Sequence, residues 1–147
     1  MNDPNLTDDL TTLADGLWTL RRPNSFMGLH LGMRVTIVRL PSEDLWVHSP
    51  IQLTEGLRAN VDALGKVGHL VAPNNMHHMH VGPWQTAYPD AVLHAPEALK
   101  RKRKDLRIDR TLEQGAAPEW GVFLRRSSWK GCRSSTRRTS STPRPRR

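Results

Sequence analysis

Residues 67–95 read VGHLVAPNNMHHMHVGPWQTAYPDAVLHA. Two apolar runs, Val67 to Ala72 and Ala91 to Ala95, have the length and branching of buried strands. Between them, Pro83 is suited to the first position of a helix around Trp84 to Tyr88, because a helix start has no use for its missing N–H. Strand, helix and strand in this order favour parallel pairing through a helical crossover, hence an α/β layer architecture.

The pattern extends on both sides. Upstream, Thr54 is a good N-cap, Glu55 suits the positive pole of a helix, and Leu57, Val61 and Leu64 form one apolar stripe that Gly65 closes. Before it, Met33 to Leu40 and Leu45 to His48 read as an antiparallel hairpin around the turn residues Pro41 to Asp44. Gly16 to Leu20 reads as a further strand, ended by Arg21-Arg22-Pro23-Asn24 and followed by a loop holding Gly28 and Gly32. Downstream, Pro96 can start a helix from Glu97 onward. No internal repeat is visible.

The loop after the Val67 strand is the richest in chemistry. Three of the seven histidines, His77, His78 and His80, fall within four residues, and Asn74 and Asn75 precede them. Neutral imidazole is a common ligand for zinc, iron and related ions. The loop lies at the carboxyl end of a strand, where open α/β sheets bind ligands. His48 ends another strand and can approach the same edge. The plainer alternative is that these imidazoles only hydrogen-bond backbone carbonyls. No Asp or Glu lies between Asp62 and Asp90, so carboxylate ligands must come from elsewhere in the chain.

The 147 residues leave room for one domain, and the net charge of +8 misleads when taken whole. Residues 1–123 hold 13 basic and 14 acidic side chains, whereas residues 124–147 hold 9 basic and none acidic. The last stretch carries eight Arg, six Ser and three Thr; it cannot bury a core, so a disordered basic tail over residues 121–147 is expected. Such a tail binds nucleic acid only nonspecifically, through phosphates. Its alternative origin is a shifted reading frame: codons read two bases later permit turn chemistry followed by a strand-like apolar pair. The run Lys100 to Lys104 reads as the solvated cationic end of a helix, since no aromatic residues interleave it for base stacking. One cysteine, Cys132, excludes an intrachain disulfide framework and a Cys-rich zinc site. No apolar run approaches a membrane span, and the acidic N-terminus is neither a secretory signal nor an Arg-rich transit peptide, which makes a cytoplasmic protein the default expectation.

The segments Met33 to Leu40, Leu45 to Ile51, His69 to Asn74 with His77 and His78, and Trp84 to Ala91 together resemble an uncharacterised domain-of-unknown-function family related to the metallo-β-lactamase fold. The resemblance covers residues 14–120. It implies an αββα sandwich, incomplete if the frame is lost near Gly121, with an unpaired strand edge and an uncovered apolar face. Active relatives carry His-x-His-x-Asp-His at the strand-end loop, and a metal-bound water attacks an ester, amide or phosphoester. On those positions this chain has Asn75, His77, Met79 and His80, and Ser49 stands where an acidic residue ends an early strand. The family's own pattern, Pro-Asn-x-x-His-His, is matched by Pro73, Asn74, His77 and His78.

Three function classes follow. The first is a metal-dependent hydrolase with an altered motif, in which His77, His78, His80 and His48 are candidate ligands for zinc, iron or manganese acting on an unknown small molecule. The second is a noncatalytic binding module or nonfunctional fragment, which Met79 and the missing carboxylates favour. The third is nonspecific nucleic-acid binding through the tail.

Overall fold

A computed structural model describes residues 7–26, 28–115, 118, 120 and 121. The basic tail, its reading frame and Cys132 therefore lie outside the described residues. Seven strands form one sheet in strict chain order: β1 (Thr11–Ala14), β2 (Leu17–Phe26), β3 (Leu29–Arg39), β4 (Leu45–His48), β5 (Val67–Val71), β6 (Val92–Ala95) and β7 (Arg110–Thr111). β1 to β4 are antiparallel, and β4 to β7 are parallel. The crossovers carry α1 (Glu55–Leu64), α2 (Val81–Ala87) and α3 (Glu97–Lys102). Among the described residues no helix is long and apolar enough to cross a membrane.

Chain order decides where the helices go. Each parallel strand is added beside the one before, and crossovers of this kind are right-handed, so all three helices must lie on one face. They do. Leu57 and Val61 of α1, Val81 and Trp84 of α2 and Leu99 of α3 share one core with Val35, Ile37, Leu45, Val47, Leu70 and Leu93 of the strands. Trp84 is fully buried and its indole N–H donates to the Ile51 carbonyl at 2.7 Å, so its one polar atom is satisfied inside the core. At the start of α1, the Thr54 hydroxyl accepts from the Leu57 N–H at 3.1 Å, as the sequence suggests.

The opposite face carries none of these three helices; Trp120, in a helical stretch of the described residues, packs there instead. β4 alternates, with Leu45 and Val47 buried on the helix side and Trp46 and His48 half-buried on the other. Register places Trp46 beside His69, and His69 beside Val92; it also places His48 beside Val71, and Val71 beside His94. Leu40, Trp46 and Trp120 form a second, smaller cluster there.

Three boundaries differ from the sequence reading. Arg21 to Asn24 do not end the first predicted strand: β2 runs through them to Phe26, and the loop expected around Gly28 and Gly32 shrinks to a tight turn, with Gly28 at φ 80° and Gly32 inside β3 opposite Pro23. Pro23 is tolerated because β1 pairs with β2 only over Leu17–Thr19, so the outer edge at Pro23 has no β1 ladder to lose. The neighbouring Arg22 is buried because it pairs with the Asp8 carboxylate, a partner fourteen residues away. Pro83 is the third residue of α2 rather than the first, still within the turn whose N–H groups have no intrahelical acceptor. β1 and β7 were not legible: one is wholly exposed and the other is two residues long.

Candidate functional site

The carboxyl ends of β4, β5 and β6 meet at one edge of the sheet, and the histidine loop lies there. Ser49 follows β4 with its N–H on the Val71 carbonyl at 2.9 Å, and Ala72 follows β5 with its N–H on the His94 carbonyl at 2.9 Å. Ser49 is buried and held at φ 55°, an uncommon conformation for a residue with a Cβ. Residues 75–80 are continuous turns that run into α2.

Asn74 organises the first half of the loop. Its side-chain oxygen accepts from the Met76 N–H at 2.8 Å, the His77 N–H at 3.1 Å and the His77 ring Nδ1 at 2.8 Å. A carbonyl oxygen only accepts, so His77 carries its proton on Nδ1 and leaves the Nε2 lone pair available. His48 is near enough that the His77 charge adds to burial in holding its pKa below 6.5.

His78 is fixed differently. Arg103 donates through Nη1 to His78 Nδ1 at 2.9 Å and to the His78 carbonyl at 3.0 Å. Guanidinium has no lone pair to offer, so Nδ1 is the acceptor and the proton sits on Nε2. Arg103 is in turn gripped by Asp105, at 2.8 Å and 2.6 Å, which drops that carboxyl to about 2. Burial, with Lys102 and Arg103 nearby, keeps the His78 pKa below 6.5. Lys102 also donates to the Asn75 carbonyl at 3.3 Å. Two residues of the basic run thus tie the loop to the end of α3, a role that the sequence reading of a solvated helix end missed. Lys100, Arg101, Lys102 and Lys104 are exposed; Arg103 is not.

His80 is the N-cap of α2 without a capping side-chain bond, and burial lowers its pKa. Among the described residues, no three His, Cys, Asp or Glu side chains converge as a metal cage. A second imidazole pair escaped the sequence reading: His69 Nδ1 and His94 Nε2 are 3.1 Å apart, buried on the face away from α1, α2 and α3, with Trp120 edge-on to His94. The signal available was parity, since His69 and His94 fall on strand positions that face the same side. A cleft of about 510 Å³, bounded by Asp62, Lys66, Tyr88 and Asp90, opens near the start of β5 and β6, at the other end of these strands.

This is a mixed α/β protein with α1, α2 and α3 on one face of its sheet and an imidazole-rich strand-end loop. Residues 14–98 match the family model described as Domain of unknown function (DUF4336), and the chain belongs to that family. Among curated proteins, none matches the sequence.

Proposed function

We propose that the chain is a noncatalytic ligand-binding module built on a metallo-β-lactamase-like layer, with its site at the loop of residues 74–80. The observation that carries this reading is the Arg103–His78 lock. The metal set of a hydrolase of that fold does not fit these residues. His78 spends its only lone pair on a guanidinium, Met79 replaces a carboxylate, and Lys102 and Arg103 add positive charge where a divalent ion needs anionic partners.

The αββα sandwich belongs to the same proposal, with residues 14–120 as the domain. Its support is the face of the sheet away from α1, α2 and α3. There His69 and His94 are buried and Trp120 packs against Trp46 and His94, so this face already carries part of a covering layer.

The test is metal titration of the purified full chain with zinc, iron(II) and manganese(II). The expected outcome is an unchanged melting temperature and no turnover of nitrophenyl esters, phosphodiesters or a β-lactam. A second reading, metal-assisted hydrolysis by His48, His77 and His80, is favoured by the Asn74–His77 bond, since metal-bound histidines characteristically donate their other N–H to a carbonyl. Metal-dependent turnover that disappears in His77→Ala would establish that reading instead.

A further inference from the structure

We infer that the loop of residues 76–80 is a copper(I) site, in which Met76 and Met79 supply thioether sulfur and His77 and His80 supply imidazole nitrogen. The inference rests on the binding-module reading and names the ligand class of that same loop.

Exposure is the first observation. Among the described residues only four large apolar side chains are strongly exposed, and two of them, Met76 at 67% and Met79 at 54%, flank the histidine pair. Exposing a thioether gains nothing for folding, and here it happens twice within four residues. Winding is the second. Across continuous turns, Met76, Met79 and His80 stand at i, i+3 and i+4, the spacing that gathers side chains on one side of a wound segment. His77 lies next to them, partly exposed, while His78 turns under and is buried against Arg103. The loop thus separates its donors: the two thioethers are exposed, His77 and His80 are half-buried, and the fifth, His78, is used for structure.

The third observation is chemical. The Asn74 oxygen holds the Nδ1 proton of His77 and leaves the Nε2 lone pair unused by that bond, as a carbonyl does behind a ligating histidine. All four donors are then neutral. A neutral thioether and imidazole set beside Lys102 and Arg103 suits a soft monovalent ion better than a hard divalent one, because thioether selects copper(I) and no carboxylate is required to balance charge. Binding is simple coordination, with no electron transferred and no proton released from Nε2.

The experiment is an anaerobic copper(I) titration of the full chain against the chromophoric chelator bathocuproine disulfonate. It uses the Cys132→Ser background so that the thiol does not compete. One equivalent should be withdrawn from the chelator, with sulfur and nitrogen neighbours in the X-ray absorption spectrum. The Met76→Leu/Met79→Leu pair, on exposed positions where leucine is tolerated, should keep the circular dichroism spectrum and weaken binding about tenfold or more. His77→Ala should weaken it comparably. Failure to withdraw copper, or equal affinity after both methionines are replaced, would overturn the site. Zinc-dependent turnover in the same preparations would instead overturn the binding-module reading, and the copper affinities would be unaffected by that result.

Discussion

His77 and His78 are adjacent and identical in type, yet their rings carry opposite protons. The Asn74 oxygen requires a donor at His77 Nδ1, and the Arg103 guanidinium requires an acceptor at His78 Nδ1. Long-range ¹H–¹⁵N spectra at pH 7.5 should therefore show His77 as the Nδ1–H tautomer and His78 as the Nε2–H tautomer; the same tautomer at both would contradict the arrangement. The sequence makes the pair visible but not the difference, because His78's fate is decided twenty-five residues downstream. Arg103 itself sits in a run that looks like ordinary solvated charge, and only its half-buried position distinguishes it from the neighbouring lysines and arginine.

Elements were legible where their signals are local. α1 has its cap, its first-turn carboxylate, its stripe and its stop inside twelve residues, and all of them appear in the structure. Thr54 is doubly engaged, accepting from the Leu57 N–H and donating to the Asp8 carboxylate at 2.5 Å. Thr54→Ala should cost about 1 kcal/mol for the cap alone, measured by urea unfolding, with Thr54→Ser retaining most of it. The β2–β3 hairpin was less legible for the converse reason. Two arginines and a proline spell a chain reversal locally, but Asp8 neutralises Arg22 from outside the element, and the short reach of β1 leaves room for Pro23. Burial by a distant partner overrides local punctuation. The same holds for the strand-end loop, whose position after β5 was legible while its attachment to α3 was not.

Across the whole molecule, the imidazoles make stability depend on pH. His48, His78 and His80 all titrate below 6.5 in the folded chain, with burial the largest cause in each. Between those lowered values and 6.5 the unfolded chain binds more protons than the folded one, so stability rises with pH there and levels off above it. Urea midpoints should be flat from pH 8 to 7 and fall progressively as pH drops through 6.5 toward 5. The Asp105 carboxyl, at about 2, stays ionised throughout that range, so the Arg103 grip is intact while the histidines charge. A midpoint that rose on acidification would show these imidazoles to be stabilised as cations instead. The sheet's architecture was legible in its parallel half, where apolar runs alternate with helical stripes. The opposite face was not, because its Trp46, His48, His69 and His94 pattern looks like scattered polar and aromatic residues until register aligns them.

The strict order of the strands also bears on how the chain comes together during synthesis. Among the described residues no strand has to wait for a later one to be slotted between it and a neighbour, since each after β1 pairs with the strand made just before it. The sheet can grow by accretion at one edge as residues leave the ribosome, with the N-terminal hairpins as the template and each crossover helix closing over the strand it follows. Each new strand thus finds its pairing edge already made, so register is set by the strand before it and not by one still to come.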